Sequence, residues 1–332
     1  MNLHNSFFSH IYIEKKVLNN SITKSIIKKF DKSKIIIIED YKNIFSGFDQ
    51  NFTIQKNSQK LILAEKKENF IYKGSKMCHD FDNSAFYYTN NIINCLYDCK
   101  YCYLGGMYPS SNIVIFVNLE DYFTELDELS NNYESIYLSL GYDTDYPLFE
   151  FIYPFIKKWI NRILDLKNIN VEIRTKSNIL HKILPQKISE NIIPAWTINP
   201  QNIISKYELK TPNLEERFKS IKKAQNYGWK VRLSIDPIIL EEDFESSYSL
   251  LIEKIFNYLN PNLIRDISIG LFRLSNVYLK NMKKHSNSPI AFDDYKINYG
   301  IASYDLNEKE KAINFVIDEF KKYYKKEKIF II

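Results

Sequence analysis

From about residue 83 onward, apolar runs of strand length alternate with amphipathic stretches of helical periodicity. The strand-like runs are Ala85–Ile93, Ser135–Tyr142, Asn170–Lys176, Ile193–Ile198, Lys230–Ile235 and Asp266–Arg273. The helical stretches between them are Leu119–Leu129, Tyr146–Leu166, Ile179–Leu184, Leu214–Tyr227 and Ser247–Leu259. Such alternation is typical of βαβ units, which build a parallel sheet. Six units suit an open barrel better than a closed eight-stranded one, so the pattern predicts an α/β fold with a partial (β/α)6 barrel.

The two ends of the chain have different patterns. Residues 1–80 are predicted to form a small separate N-terminal α/β lobe. The lobe contains a helical stretch and two strand-like runs, namely Ser21–Phe30, Lys34–Asp40 and Leu61–Lys66. Near the C-terminus, Asn307–Tyr324 predicts a helix and Lys328–Ile332 a final edge strand. The predicted organisation is therefore the lobe at 1–80 and the barrel, with its C-terminal helix and strand, at 81–332.

The composition limits the class of protein. The chain has 332 residues, 45% hydrophobic and 26% charged, which suits one large globular domain or two smaller ones. Its net charge of +5 permits a polyanionic partner but does not require one. No apolar run approaches the roughly 20 residues of a membrane span, and the N-terminus lacks the features of a signal peptide. The sequence therefore predicts a cytoplasmic protein with no membrane partner.

Three of the four cysteines lie close together, as Cys95, Cys99 and Cys102 in a C-x3-C-x2-C spacing. So few cysteines, clustered in this way, indicate chemistry in a reducing compartment rather than disulfides. Three thiolates on one loop can ligate three irons of a 4Fe-4S cluster and leave the fourth iron open. The loop follows the first predicted strand. Because working loops of β/α barrels follow their strands, we expect the cluster at the barrel mouth.

A zinc site is the alternative interpretation of these cysteines. Structural zinc is held by four protein ligands, so Cys78 would have to supply the fourth, with His79 nearby. However, Cys78 lies 17 residues upstream of Cys95 and is not part of a C-x2-C pair, whereas zinc knuckles usually show two close ligand pairs. On this interpretation the chain would be a zinc-stabilised nucleic-acid-binding protein.

The cysteine spacing, with Tyr101 directly before the last cysteine, resembles the signature of radical S-adenosylmethionine enzymes. Further segments, in this order, resemble the spore photoproduct lyase family: Ser111–Glu120, Arg174–Lys176, Trp196–Asn199, Lys206–Thr211, Arg217 and Tyr299–Ile301, with a weaker match at Ile11–Glu14. The resemblance implies a partial β/α barrel and two cofactors, a 4Fe-4S cluster and S-adenosylmethionine.

The resemblance also implies roles for individual residues. The three clustered cysteines would ligate the cluster, and its open iron would be chelated by S-adenosylmethionine. The candidates for S-adenosylmethionine binding follow successive strands: Thr144, Asp145, Lys176, Thr197 and Asn199. Lys176 would pair with the methionine carboxylate, while Thr197 and Asn199 would hydrogen-bond the ribose or methionyl part. A zwitterionic ligand that carries hydroxyl groups needs such partners.

The family reaction reverses 5-thyminyl-5,6-dihydrothymine, a cross-linked thymine pair in spore DNA. A 5′-deoxyadenosyl radical removes a hydrogen atom from the lesion, the methylene bridge breaks, and a cysteine thiol quenches the remaining thymine radical. Tyr101 and Tyr103 match two tyrosines that return the hydrogen atom toward S-adenosylmethionine. Arg273 and Tyr299 are candidate substrate residues, and Arg273 with Lys280 would hold phosphates. The implied partners are DNA carrying a thymine dimer and an electron donor such as ferredoxin or flavodoxin.

The match to the family fails on the substrate side. Tyr142 stands where the family has its hydrogen-donating cysteine, Phe272 replaces a histidine, and Asn298 replaces an arginine. In one hypothesis the chain is a lyase for the thymine dimer in which Tyr142 or Cys78 quenches the product radical, so Tyr142 is a catalytic candidate. In another, the same radical initiation acts on a different nucleic acid adduct or on a small molecule.

Overall fold

The computed structural model describes residues 7–75, 78–324 and 328–332. Its strands, in chain order, are β1 (His10–Glu14), β2 (Lys34–Ile38), β3 (Leu61–Ala64), β4 (Ile71–Lys73), β5 (Ala85–Thr89), β6 (Ile92–Ile93), β7 (Asp98–Cys99), β8 (Ile113–Phe116), β9 (Ile136–Leu140), β10 (Ile169–Thr175), β11 (Ile192–Thr197), β12 (Glu208–Leu209), β13 (Val231–Ile238), β14 (Ile264–Leu271), β15 (Arg273–Ser275), β16 (Lys296–Asn298), β17 (Ile301–Ser303) and β18 (Ile329–Ile331). Its α-helices are α1 (Ser21–Lys29), α2 (Lys42–Phe45), α3 (Phe52–Gln55), α4 (Leu104–Met107), α5 (Leu119–Ser130), α6 (Phe155–Ile163), α7 (Gln201–Tyr207), α8 (Leu214–Asn226), α9 (Phe244–Tyr258), α10 (Asn276–Lys283) and α11 (Leu306–Lys321).

The larger sheet has eight strands in the order β18-β14-β13-β11-β10-β9-β5-β4. Its neighbouring strands are parallel, except that β4 runs antiparallel to β5. The order has two ends, β18 and β4, so the sheet is open within the described residues. Strands β9 and β11 are buried along their whole length, as in parallel sheets that are covered on both faces. The predicted partial barrel is confirmed, with β5, β9, β10, β11, β13 and β14 as its six strands.

Polar caps fix where two of the barrel helices begin. The Asn213 side chain accepts a hydrogen bond from the Glu216 backbone N–H, and the Glu216 side chain accepts one from the Asn213 N–H, at the start of α8. Asp305 and Glu308 form the same capping box at the start of α11. Each box satisfies backbone N–H groups that have no partner inside the helix. Because α8 starts at a fixed position, its buried residue Arg217 is placed one turn further along.

One predicted strand is wrong in its extent. The run Ala85–Ile93 is split, because β5 ends at Thr89 and the short β6 pairs antiparallel with β8 in another sheet. The residues at the break, Asn90 and Asn91, are poor strand formers. Their side-chain oxygens accept hydrogen bonds from Lys66 and from the Tyr146 hydroxyl, respectively. The polar break redirects the chain toward the cysteine loop.

Two predicted helices are also wrong in extent. The stretch Tyr146–Leu166 contains a short 3-10 turn and then α6, because Pro147 and Pro154 have no N–H for a continuous helix. The stretch Ile179–Leu184 forms only the 3-10 turn Leu180–Lys182. The remaining helical predictions correspond to α1, α5, α8, α9 and α11. No α-helix in the described ranges is long and apolar enough to span a membrane.

A second sheet has five strands in the order β2-β1-β3-β8-β6. The strands β1, β2, β3 and β8 are parallel, which confirms the strand predictions at Lys34–Asp40 and Leu61–Lys66. Strands β6 and β8 come from beyond residue 80, so this sheet contains strands from both sides of the predicted boundary. The division at residue 80 stays a prediction. One cluster of buried apolar residues includes Ile13 in β1 and Ile173 in β10, so it extends across both sheets.

Candidate active site at the mouth of the barrel

A cavity of about 550 Å³ opens where the parallel strands of the barrel end. Its lining includes Gly141 after β9, Lys176 after β10 and Phe272 after β14. The sequence-predicted site residues that also line it are Cys95, Cys99, Cys102, Tyr101, Tyr103, Tyr142, Thr144, Asp145, Lys176, Thr197 and Arg273. The cysteine loop therefore lies at the barrel mouth, as its place in the sequence predicts. This is the end of the strands that carries the working loops in β/α barrels.

The cysteine loop is held on one side by a two-residue antiparallel ladder. Strand β7 of the loop pairs with β12, so Cys99 lies opposite Glu208. The Lys100 backbone N–H extends the ladder by donating to the Tyr207 carbonyl over 2.7 Å. A strand pairing of this kind fixes the backbone of the loop without using any side chain of the cavity.

On its other side the loop is held by a buried lysine from the segment after α3. The Lys56 ammonium donates to the carbonyl oxygens of Cys95 and Tyr97, each over 2.6 Å. The Gln59 amide donates to the same Cys95 carbonyl over 3.1 Å. Lys56 is only 6% exposed, so these bonds satisfy a buried charge and two buried carbonyls together. The N-terminal part of the chain thereby contributes to the position of the cysteines.

The three thiols are the candidate cluster ligands. Burial raises the pKa of Cys95 to about 11, and it raises the pKa of Cys99 and Cys102 as well. Buried thiols of this kind release their protons when a metal binds them. Among the described residues, no three His, Cys, Asp or Glu side chains are grouped around one point as a single metal ion requires. The three thiols line one cavity, where they can ligate three irons of a cluster, whereas a structural zinc ion takes four protein ligands.

Behind the loop lies a buried polar network around Glu208. The Tyr101 hydroxyl donates to Glu208, and Arg217 forms an ion pair with the same carboxylate. The Asn199 amide donates to it over 3.0 Å. Burial disfavours the charge on Glu208, but Arg217 and then Lys176 hold its pKa below the usual value. The network fixes Tyr101 beside the cysteines, with the Lys176 ammonium 5.6 Å from the centre of its ring.

The turn after β9 brings two carboxylates to the cavity. Gly141 has a φ of +70°, and an added Cβ would lie 2.6 Å from the Cβ of Tyr146, so the turn requires glycine. Asp145 accepts hydrogen bonds from the Thr175 hydroxyl over 2.6 Å and from the Lys176 N–H over 2.7 Å. The Thr144 hydroxyl donates to the Asn94 carbonyl over 2.7 Å. Thr144 and Asp145 therefore connect β9 to the cysteine loop and to β10.

Asp143 joins the second loop tyrosine to this turn. The Tyr103 hydroxyl contacts the Tyr142 carbonyl at 2.7 Å and Asp143 at 3.1 Å. The Tyr108 hydroxyl donates to the other oxygen of Asp143 over 2.7 Å. Burial raises the pKa of Asp143, although both phenols favour its charged form. Sequence reasoning did not assign Asp143, and its place between Tyr142 and Thr144 was the available signal.

The opposite wall of the cavity carries a chain of alternating charges. Arg273 donates to Asp236 over 3.0 Å, and Arg174 lies 3.7 Å from the same carboxylate. Arg174 also donates to Glu172 over 2.8 Å, and Glu172 accepts a further bond of 2.8 Å from the buried Arg232. Sequence reasoning identified Arg273 here but missed its partner Asp236. Such partners are set by tertiary packing and have no local sequence signature.

Three predicted site residues lie outside the cavity lining, namely Asn199, Lys280 and Tyr299. Lys280 is exposed on α10, so its contact with a phosphate stays a prediction. The Asn199 side chain is fully buried and bonded to Glu208, so its direct contact with S-adenosylmethionine stays a prediction. Tyr299 is at the tip of the hairpin formed by β16 and β17, fully exposed, with φ values of +49° at Tyr299 and +79° at Gly300. Two successive residues with positive φ are typical of a tight hairpin turn.

Most of the chain matches one protein family. The family model for spore photoproduct lyase matches residues 7–328. The chain therefore belongs to the spore photoproduct lyase family.

Individual relatives agree with this result. The spore photoproduct lyase of Clostridium acetobutylicum is 24% identical over 97% of each chain. That of Bacillus subtilis strain 168 is 22% identical over 93% of this chain and 94% of its own. Among solved structures, a spore photoproduct lyase variant with bound AdoMet and dinucleoside spore photoproduct has a TM-score of 0.81 at 18% identity over 98% of each chain. At such low identity this structural match supports the fold.

Proposed function

We propose that this chain is a radical S-adenosylmethionine carbon–carbon lyase that reverses 5-thyminyl-5,6-dihydrothymine in DNA. The strongest support is that one cavity of this family member is lined by the residues such a reaction needs. The three clustered cysteines line that cavity together with Tyr103, Asp145 and Lys176. A cavity of about 550 Å³ is also within the range that encloses a small ligand.

The residues of the cluster side suit both cofactors. Three cysteine ligands leave one iron of a 4Fe-4S cluster free to bind S-adenosylmethionine. Burial opposes the charge on Lys176, but Cys99 and Glu208 raise its pKa above the usual value, which favours the charged form that would pair with the methionine carboxylate. When bound and reduced, this pair of cofactors supplies a 5′-deoxyadenosyl radical. Thr197 ends β11 and lines the cavity, and in the proposed function it hydrogen-bonds the ribose or methionyl part.

The two loop tyrosines line the same cavity as the cysteines, and each would hold a hydrogen atom on its hydroxyl group. Tyr101 donates to Glu208, whose charge is kept by Arg217, so the phenol keeps a fixed direction. Tyr103 reaches across the cavity to the turn after β9, where its hydroxyl meets the Tyr142 carbonyl and Asp143. In the proposed function these phenols return a hydrogen atom toward S-adenosylmethionine.

The lesion has to leave the base stack to enter this cavity, at a cost of roughly a few kcal/mol. The Tyr299 side chain is fully exposed on its hairpin, and in the proposed function it stacks on a base of the opened duplex. Arg273, 20% exposed beside the cavity, is the candidate phosphate contact. The proposal further includes ferredoxin or flavodoxin as the electron donor, and a cytoplasmic location.

The test is a repair assay with anaerobically purified, reduced protein, S-adenosylmethionine and a dinucleotide of the lesion. We expect thymidine monomers and 5′-deoxyadenosine to form together, and Cys99→Ala to form neither because a cluster ligand is lost. Formation of 5′-deoxyadenosine without thymidine would contradict the substrate. A colourless protein that holds one zinc ion and no iron would contradict the cofactors.

A different substrate is the second candidate, and two residues of the cavity favour it. Tyr142 and Phe272 both line the cavity in place of the family cysteine and histidine. In that case the chain would start the same radical chemistry on another nucleic acid adduct or on a small molecule. The repair assay separates the two candidates. If the substrate is a different one, the lesion dinucleotide gives no thymidine, whether or not 5′-deoxyadenosine forms.

A further inference from the structure

Part of the cysteine loop and of its ladder lies outside the cavity lining and reaches the surface. We call Asp98, Lys100, Leu209 and Lys210 the loop surface. None of the four lines the cavity, Leu209 is 37% exposed, and Lys210 is exposed as well. In the β7–β12 ladder Leu209 lies opposite Asp98, and the residue before it lies opposite Cys99. Because paired strands are about 5 Å apart, a candidate cluster ligand is one strand spacing from this surface.

The loop surface carries an excess of positive charge. The Lys100 ammonium forms an ion pair with Asp98 at 2.9 Å, whereas that of Lys210 donates to the carbonyl oxygen of Lys56 over 2.7 Å and not to a carboxylate. Burial lowers the pKa of Lys210. Of the neighbouring charges, Asp98 opposes that shift, whereas Lys56 and Lys100 add to it. Three lysines with one aspartate leave two net positive charges around the outer side of the loop.

The backbone of Lys210 also points to a use for its side chain. Its φ is +66°, in the left-handed region that glycine and asparagine adopt more readily than lysine. Strained residues of this kind are concentrated at functional sites. An ammonium has three N–H donors, and among the described residues Lys210 uses one of them, on the Lys56 carbonyl. The remaining donors of an exposed cation can bind an acidic partner.

The cavity itself is closed to a protein that delivers electrons. Its volume is about 550 Å³, which suits a small ligand, and in the proposed function S-adenosylmethionine and the lesion occupy it. An electron from a carrier protein therefore has to cross the cysteine loop from outside. At the loop surface the backbone hydrogen bonds of the β7–β12 ladder connect the exposed strand to the strand of Cys99.

We propose that the loop surface is the docking site of an acidic one-electron carrier protein of the flavodoxin or ferredoxin class. This rests on the proposed function, because the carrier reduces the cluster that the cysteines hold. One electron leaves the carrier and enters the cluster, so the carrier is oxidised and the cluster is reduced by one electron, with no bond made or broken. Lys100 and Lys210 attract the acidic surface, and Leu209 supplies apolar contact. Electron-transfer complexes are small and weak, and charge complementarity mainly accelerates their association.

The first experiment measures binding and needs no turnover. Oxidised flavodoxin is titrated with the protein at several salt concentrations, and flavin fluorescence gives the dissociation constant. We expect binding that weakens as salt is added. Lys210→Glu should raise the dissociation constant by about tenfold at low salt and flatten its salt dependence, while Lys210→Arg binds as wild type does. Leu209→Ser should raise it by about threefold at every salt concentration, because apolar contact is lost.

A matched control applies the same charge change at the other end of the barrel. Lys230 is exposed, pairs with Glu190 at 3.0 Å, and precedes β13, whereas the cavity lies where the strands end. Lys230→Glu should therefore bind flavodoxin as wild type does. Equal weakening in Lys230→Glu and Lys210→Glu would show that only the net charge of the protein matters, and the docking site would be wrong.

The second experiment measures the rate of cluster reduction from the loss of absorbance after rapid mixing. The reductants are reduced flavodoxin, reduced ferredoxin and reduced methyl viologen, a small cation that needs no docking surface. In Lys210→Glu the rate with either carrier should fall by about tenfold, and the rate with methyl viologen should not fall. A fall with all three reductants would mean that Lys210 holds the loop in place and does not receive the carrier.

The outcomes separate this inference from the function on which it rests. If wild-type protein binds neither carrier, or if Lys210→Glu binds and accepts electrons as wild type does, the docking site is wrong. Both readouts are independent of the lesion. A protein that binds the carrier at this surface and is reduced by it, but forms no thymidine, would contradict the proposed substrate and leave this inference standing.

Discussion

The two walls of the cavity are built in different ways. The cluster wall consists of the cysteine loop with Glu208 and Arg217 behind it, and those two side chains have no exposed area. The substrate wall consists of Cys78, Tyr142 and Arg273. The side chains of Arg273 and of its ion-pair partner Asp236 are each about 20% exposed. On the cluster wall a strand ladder, a buried lysine and a buried ion pair each fix the same loop.

The difference teaches which part of the site has to be rigid. A cluster and S-adenosylmethionine present the same groups in every turnover, so their wall can be set in advance by buried bonds. A lesion in DNA enters and leaves each time, so its wall needs accessible side chains and movable contacts. The comparison predicts that changes to the cluster wall reduce folding stability and cofactor binding. Changes to the substrate wall, and to the hairpin of β16 and β17, should mainly reduce substrate binding.

The largest effect is expected for Arg217→Met. It leaves the Glu208 carboxylate buried without its cation, and breaking a buried pair in this way costs about 3–5 kcal/mol. The free energy of unfolding from urea titration should fall by that order, and iron content should fall because Glu208 also holds Tyr101 in the loop. Lys219→Met on the same helix is the control.

The ion pair of Lys219 with Glu215 is exposed, so no measurable change in the free energy of unfolding is expected for this control. Equal losses in both variants would contradict the distinction between the walls.

A smaller effect is expected for Lys56→Met. The carbonyl of Tyr97 loses its lysine donor, and the carbonyl of Cys95 keeps only Gln59. An unsatisfied buried group costs about 1–3 kcal/mol, and the loop that carries the cluster ligands loosens. We expect faster loss of iron to a chelator, followed by absorption spectroscopy. Lys60→Met, which removes only exposed bonds to Ser9 and Ser58, should release iron at the wild-type rate. A Lys56→Met protein that retains iron equally well would show that the β7–β12 ladder is sufficient.

Sequence reasoning succeeded where the signal was local. The cysteine spacing and the alternation of strands and helices predicted the loop, the partial barrel and the strand ends, because these follow from residue spacing and periodicity. It did not predict which strand-end side chains face the cavity. Thr197 lines it, whereas Asn199, two residues later, bonds to Glu208. The bonds of Arg217 to Glu208 and of Cys78 to Tyr142 join distant elements, so packing decides them.

The substrate wall gives a prediction about DNA binding. In Arg273→Met, affinity for lesion-containing DNA should fall, and the slope of log affinity against log salt should decrease by about 1, because one phosphate contact is lost. Formation of 5′-deoxyadenosine without DNA should be unchanged. Arg265→Met is the matched control, since Arg265 lies near the start of β14 and Arg273 follows its end. An unchanged salt slope in Arg273→Met would remove the phosphate role from this residue.

The smallest effect on the protein itself, and the most selective effect on substrate, is expected for Tyr299→Ala. The side chain is fully exposed at the hairpin tip, so the free energy of unfolding should stay within about 0.5 kcal/mol of wild type. Stacking of an aromatic ring on a base is worth about 1–3 kcal/mol, and it is needed only when a base pair has to be opened. Repair of the lesion in a duplex should therefore weaken by about tenfold, while repair of the free dinucleotide stays at the wild-type rate. Equal losses on both substrates would place Tyr299 in contact with the lesion itself, and the hairpin would then belong to the substrate wall.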